Sequence, residues 1–235
     1  EAGGYGVLLR LARVRSPLLV RLHAGTAILR RHSHQRMDFK DCLIARLERW
    51  SVERADLVTS PSRALVRESR CDLGVSERDC LIYPNVLPRA TARTAGTREA
   101  GTEPRSVLVV GRLGYLKGTD LVLEAMRRLQ AAEYPGLHLV LIGRCEGPRD
   151  RFAAEIARTL RPGTYDWVGE VDHGTVLGAM KRIGLVVQAS RFENYPTTIL
   201  EALQSGCLVI GSTAGGIPEI IADGRTGLLF DCGCA

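Results

Sequence analysis

Aromatic side chains are scarce in this sequence: two Trp, six Tyr and four Phe among 235 residues, 5% of the chain. Single-stranded nucleic acid is usually held by stacking its bases on rings set between cations. The arginines here are not interleaved with aromatics and no recognition motif accompanies them, so no nucleic-acid partner is expected. Long apolar runs are missing too. A bilayer span needs about 20 apolar residues, and the longest candidate, Val7 to Leu22, is broken by Arg10, Arg13, Arg15, Pro17 and Arg21. The opening EAGGYGVLLR has neither the charged start nor the apolar centre of a signal peptide. The glycine spacings of dinucleotide and P-loop sites are also lacking, which argues against hydride-transferring oxidoreductases and P-loop kinases. Seven cysteines, an odd and scattered set, do not form a disulfide framework, so a reducing cytoplasm is expected. Cys232 and Cys234 have no second Cys or His pair at ligand spacing, and no zinc site is expected there. Lysine is rarer still: only Lys40, Lys117 and Lys181 among 32 cations.

What is present is an ordinary globular composition, 45% hydrophobic and 25% charged, long enough for one large or two modest domains. Charge is uneven along it. Residues 1 to 106 carry 19 cations against 12 anions, net +7, and residues 107 to 235 carry 13 against 14, net −1. A basic face of that size is a solvated surface or one suited to anionic lipid, so peripheral contact with an inner membrane face is an expectation for the first part.

Pro88 to Ser106 contains no large aliphatic residue and many Thr, Ala, Gly and Arg, which reads as a linker over 88–106 between domains at 1–87 and 107–235. Beyond it, apolar runs alternate with amphipathic stretches. Strands are predicted at Ser106 to Gly111, His138 to Gly143, around Trp167 and Val168, at Gly184 to Ala189, Cys207 to Gly211 and Gly227 to Phe230. Helices are predicted at Thr119 to Ala131, Asp150 to Leu160, Asp172 to Ile183 and Pro196 to Ser205, with a short one near Pro218 to Ala222. Such continuous apolar strands with short connections indicate a parallel sheet covered on both faces. Thr119 reads as an N-cap. The first part repeats the theme, with strands at Leu18 to Leu22, Asp56 to Thr59 and Leu81 to Tyr83. Its helices are predicted at Lys40 to Arg54 and from Ser62 through Glu68, the first packing Leu43, Ile44, Leu47 and Trp50 into a core. This reads as half of an α/β domain, with its opening βα units expected to be missing.

In doubly wound sheets ligands sit beyond the carboxyl ends of the strands, so the loops there carry the chemistry. After the strand at 106–111 stands Gly111-Arg112-Leu-Gly-Tyr-Leu-Lys117-Gly118. Two cations converging from one turn fit a diphosphate, the guanidinium as a fork and the ammonium as a mobile point charge. The other reading pairs Arg112 with a neighbouring carboxylate and leaves Lys117 solvated. After the strand at 184–189 comes Arg191-Phe-Glu193-Asn-Tyr-Pro196-Thr197-Thr198-Ile-Leu-Glu201. Pro196 opens a helix whose first-turn amides at Thr197 and Thr198 form an anion site at its positive end. Diphosphate on those amides, with hydroxyls accepted by Glu193 on one side and Glu201 on the other, matches a nucleotide sugar. Both glutamates as plain surface charges is the alternative.

GRLGYLKG, the E-x7-E pattern of Glu193 and Glu201, and Gly215-Gly216-Ile-Pro218-Glu219 together resemble the C-terminal half of a retaining glycosyltransferase of the glycosyl transferases group 1, or GT4, family. RLHAG at 21–25, ADLVTSPSRALV at 55–66 and YPNVLP at 83–88 are similar to that family's N-terminal domain, in the same order. The resemblance covers nearly the whole chain. It implies an α/β fold of the GT-B type, two Rossmann-like doubly wound parallel-sheet domains facing a cleft, with the N-terminal one incomplete. It further implies that Arg112 and Lys117 bind the donor diphosphate, Glu193 the transferred sugar and Glu201 the ribose. The amides at Thr197 and Thr198 would meet phosphate, Val171 in WVGEV the nucleobase through its backbone, and His23 the donor sugar. His23, Arg112, Lys117 and Glu193 are thus the expected catalytic set, with no metal and no cofactor beyond the nucleoside-diphosphate sugar. The acceptor would be a glycan, lipid or small molecule. By the same resemblance the chain lacks the family's first strand, its glycine-rich loop and its last helices, so it is expected to be a piece of a longer enzyme. Two further readings stay open: a non-catalytic nucleotide-sugar-binding fragment, and a sugar-nucleotide epimerase of the same fold, which would need an acid and a base that the sequence does not place.

Overall fold

A computed structural model of the chain describes residues 16–87, 105–132, 134 and 136–233. The linker expected at 88–106 lies, up to residue 104, outside the described residues, as do residues 1–15 and Cys234. Contacts divide the chain into two units: residues up to Asn85 together with Phe192–Tyr195, and Val86–Arg191 together with residues from Pro196 onward.

The first unit contains strand β1 (Leu19–Arg21), helices α1 (Thr26–His32) and α2 (Phe39–Glu53), strand β2 (Leu57–Ser60), helix α3 (Arg63–Leu73) and strand β3 (Cys80–Ile82). The three strands are parallel in the order β1-β2-β3. Helix α2 starts where Asp38 and Asp41 exchange hydrogen bonds, each carboxylate accepting the other's backbone N–H at 2.8 and 3.0 Å. This capping box satisfies two donors that a helix start leaves orphaned. Two expectations are corrected here. Helix α1 was not foreseen, because TAILRRH is too short for a periodic signal. The apolar side of α2 is not a core face: Leu43 is 51% exposed and Ile44, Leu47 and Trp50 are only half-buried, while Ser51 and Val52 face inward. Helix α3 also runs past Glu68 to Leu73, ended by Gly74 in the left-handed conformation that glycine adopts without strain.

The second unit runs β4 (Ser106–Val110), α4 (Thr119–Ala131), β5 (His138–Ile142), α5 (Arg149–Thr159), β6 (Tyr165–Gly169), α6 (His173–Ile183), β7 (Leu185–Gln188), α7 (Thr197–Gln204), β8 (Leu208–Ser212), a 3-10 turn (Ile217–Glu219) and β9 (Leu228–Phe230). Its six strands are parallel in the order β6-β5-β4-β7-β8-β9. Two cores account for the unbroken apolar runs. On one face Leu108, Val140, Ile142 and Val186 meet Val176, Met180 and Ile183 of α6 and Ile199 and Ala202 of α7. On the other, Val107, Val109, Leu139 and Leu141 meet Val122, Leu123 and Met126 of α4 and Phe152 and Ile156 of α5. Alternate residues of one strand thus serve opposite layers, so past their first residues, Ser106 and His138, β4 and β5 are apolar throughout. Among the described residues no helix is long and apolar enough to cross a membrane.

The caps of α4 and α7 each differ by one residue from the expectation. Thr119 is the first residue of α4 and Gly118, at φ 67°, is its cap. The Thr119 hydroxyl instead accepts the Gly114 N–H at 2.9 Å, inside the preceding turn. Pro196 is the cap of α7 rather than its first residue. Gly118 has no room for a side chain: a Cβ there would lie 1.8 Å from the Ala189 carbonyl oxygen. Gly118→Ala is therefore expected to destabilise the fold by more than the roughly 1–2 kcal/mol of a left-handed alanine. Gly178→Ala, in the middle of α6 and facing open space, should stabilise by about 0.5–1 kcal/mol. Urea midpoints followed by circular dichroism check both signs.

Candidate functional site

The strand order of the second unit reverses between β4 and β7, and helices leave these neighbouring strands toward opposite faces of the sheet. A crevice opens at such a point beyond the carboxyl ends of the strands. The loop after β4 is tied down on its β5 side by backbone bonds. Gly111 N–H donates to Ile142 O at 3.0 Å, Leu113 N–H to Arg144 O at 2.7 Å and Glu146 N–H to Leu113 O at 2.7 Å. The chain can come this close because Gly143 has no Cβ; one would lie 1.8 Å from the Gly111 carbonyl oxygen. Residues 115–118 then make a turn closed by Gly118 N–H on Tyr115 O at 3.0 Å, and Arg191 N–H, from the loop after β7, donates to Leu116 O at 2.8 Å.

This loop presents the two expected cations. Arg112 is exposed and has no hydrogen-bond or ion-pair partner among the described residues, so the alternative of pairing with a neighbouring carboxylate does not hold. Lys117 is half-buried at the last position before the Gly118 cap. Arg112 lines a cleft of about 590 Å³ with Val110, Gly111, Cys145, Glu170, Val171 and Val176. At its rim Arg144 Nη2 lies 3.0 Å from both oxygens of Glu170, and this hydrogen bond, then the charge of Glu170, raises the guanidinium pKa above its ordinary value. Val171, half-buried, is thus in the same cleft as Arg112.

Helix α6 begins beside it. Asp172 caps the helix by accepting Thr175 N–H at 3.0 Å. The Thr175 hydroxyl, then the Thr175 amide, hold the Asp172 carboxyl below the usual aspartate range. The next residue, His173, places Nε2 3.1 Å from Oε1 of Glu201. Glu201 sits one turn into α7 and is mostly buried, 17% of its side chain exposed against 67% for His173. No side chain caps α7, whose first residues are Thr197 and Thr198, so its leading amides point outward at the positive end of the helix.

Of the expected site residues, the second unit therefore carries Arg112, Lys117, Val171, Thr197, Thr198 and Glu201, all on segments that leave the carboxyl ends of β4, β6 and β7. Glu193 is half-buried in a four-residue segment that groups with the first unit, and His23 is exposed just after β1 in that same unit. Among the described residues no three His, Cys, Asp or Glu side chains gather as metal ligands.

Two features of the site escaped the sequence reading. Arg191 is buried and forks onto Asp120, Nη1 to Oδ1 and Nη2 to Oδ2 at 2.7 Å each, while Nη1 also donates to Tyr115 O at 2.6 Å. Its partner is 71 residues away, so no local spacing reveals it. His173 was the other; its nearness to Glu201 depends on the packing of α6 against α7. Because the Asp172 pKa is depressed in the fold, its contribution to stability is complete above the ordinary aspartate value of 3.8 and is lost as pH falls through the lower folded value. Asp172→Ala should therefore lower the urea midpoint at neutral pH, and the gap from the parent chain should close in acid.

Two family models match the chain: Glycosyl transferases group 1 over residues 96–235 and Glycosyl transferase 4-like domain over residues 1–86. Glycogen synthase of Mycobacterium tuberculosis is 28% identical over 213 residues, covering 90% of this chain and 50% of that protein. The chain thus spans about half the length of that curated relative. Among solved structures, HepE from Anabaena in complex with UDP and glucose superposes with a TM-score of 0.71 at 18% identity, covering 96% of this chain and 60% of that one. Sucrose-phosphate synthase from Thermosynechococcus elongatus gives 0.70 at 22% identity, covering 96% and 58%. At these identities the superpositions speak to the fold.

Proposed function

Because the chain belongs to the glycosyl transferases group 1 family and has an α/β fold of the GT-B type, we propose that it serves a retaining glycosyltransferase. The parent enzyme moves a sugar from a nucleoside-diphosphate sugar to an acceptor hydroxyl. The observation that carries this reading is the placement of Arg112, Lys117 and the uncapped start of α7 on segments that follow the carboxyl ends of the neighbouring strands β4 and β7, where the strand order of the second unit reverses. Two cations and a row of outward amides suit a diphosphate, and Glu201 nearby suits a ribose diol. The base would lie in the cleft beside Val171. Glu193 and His23 would reach the transferred sugar.

In the reaction the acceptor oxygen bonds to the anomeric carbon as the bond from that carbon to the phosphate oxygen breaks. The acceptor proton passes to the departing phosphate on the same face, so the configuration is retained. The developing charge on the leaving diphosphate is what Arg112 and Lys117 stabilise, the part that a metal ion plays at other sites. Glu193 and Glu201 position hydroxyls, and no side-chain base is required of them. A glycan, lipid or small-molecule acceptor would bind through the first unit. Phe39, 84% exposed, and Leu43 flank Lys40 on α2, which supports peripheral contact with an anionic membrane face from the cytoplasm; flotation with anionic liposomes tests that contact.

Calorimetry with UDP, GDP and ADP, with UDP first because HepE holds it, tests the donor site. One of the three is expected to bind, in EDTA as well as without it. Arg112→Ala, Lys117→Ala and Glu201→Ala should each weaken that binding about tenfold, about 1.4 kcal/mol. No binding by any of them, or unchanged affinity in all three variants, removes the assignment. Binding without transfer by a chain extended at both ends would favour the non-catalytic reading, and release of an epimerised sugar nucleotide the epimerase.

A further inference from the structure

The Arg191–Asp120 pair is absorbed by none of the donor contacts above, and its geometry points to a role of its own. We propose that Arg191 is a positioning residue that sets the 112–118 loop, and Lys117 in particular, for the diphosphate. The inference rests on the donor-site reading and deepens it.

Arg191 holds this turn from three sides. Its backbone N–H donates to Leu116 O. Its guanidinium donates to Tyr115 O, one residue further back, and grips Asp120 in the first turn of α4. Residues 115, 116 and 120 are thus all tethered, and Lys117 lies between them. The guanidinium carbon also sits 3.8 Å from the centre of the Tyr115 ring, so the fork is covered on one face. Only 8% of its side chain is exposed, and its Nη1–Nη2 fork is spent on Asp120, with Nη1 also on Tyr115 O, so that fork is not offered to a phosphate. It is therefore not a catalytic residue. Asp120, 43% exposed, keeps the buried charge balanced.

A fixed turn matters because lysine is a flexible point charge. Four rotatable bonds must be ordered before its ammonium meets a phosphate, and a loop that also had to be ordered would add to that cost. Binding energy that depends on the turn should fall when the clamp is loosened, and binding that ignores the turn should not. The pair is also built as a planar fork, which an ammonium cannot reproduce, so Arg191→Lys keeps the charge and loses the geometry.

The test compares nucleoside diphosphates with the nucleosides alone. Calorimetry identifies which of UDP, GDP and ADP the parent chain binds. Arg191→Lys and Asp120→Asn are each expected to weaken that diphosphate about tenfold while leaving the dissociation constant of the matching nucleoside, read by NMR titration, unchanged. The double variant should lose little more than either single one, because both cut the same tether. Amide hydrogen exchange at 112–118 should quicken in all three without any ligand. Unchanged diphosphate affinity, an equal loss for the nucleoside, or unaltered exchange would each overturn the proposal. If the parent chain binds no nucleoside diphosphate at all, the donor-site reading fails and this one with it.

Discussion

The second unit depends on two places where backbone meets backbone at the reversal of its sheet. Gly118 lies against the Ala189 carbonyl and Gly143 against the Gly111 carbonyl, each so closely that a Cβ would overlap the oxygen. These contacts join the loops after β4, β5 and β7 into one layer above the strand ends. Everything attributed to the site hangs from that layer: the cations at 112 and 117, the cleft beside Val171 and the entry to α7. A glycine is needed at each contact for a steric reason, independent of any ligand. The architecture thus makes a crevice first, and the charged side chains are then placed around its edge.

Electrostatics across the second unit are sorted by pairing. Arg127 and Arg128 share Glu124, whose pKa falls to about 2 chiefly through the Arg127 hydrogen bond. Arg144 takes Glu170 and Arg191 takes Asp120. The last two pairs are neutral one to one, whereas Glu124 leaves one positive charge over, and three of the four arginines stand well exposed, where such pairs add little to stability. Arg191 differs because it is buried, and a buried guanidinium without its carboxylate would be strongly unfavourable.

Much of this was legible in the sequence. Apolar runs with amphipathic stretches between them predict the parallel sheet, since strands buried on both faces lack alternation. The turn with Arg112 and Lys117, and the segment from Glu193 to Glu201, stand out because charge so near apolar strand ends calls for a reason. What stayed hidden depends on distance in sequence. The fork of Arg191 on Asp120 and the contact of His173 with Glu201 join residues 71 and 28 positions apart, and no local period encodes them. Helix α2 misled in a different way. Its spacing is helical, but the side with Leu43 is left half in solvent while Ser51 packs inward, its hydroxyl satisfied by Leu47 O at 2.8 Å. Periodicity reports a helix, whereas the buried side is chosen by neighbours.

The net charge of the two parts acquires a physical meaning at this point. The second part is almost neutral, 13 cations against 14 anions, and yet Arg112 at its crevice has no counter-ion among the described residues. Neutrality summed over the domain therefore says nothing about the field where a ligand would arrive. A guanidinium that is exposed and unpaired has no partner to release before it meets an anion. One already engaged, as Arg144 is with Glu170, would first have to give up a charge-assisted bond. Of the carboxylates lining the same cleft, Glu170 is already held by Arg144 and so is not offered to Arg112.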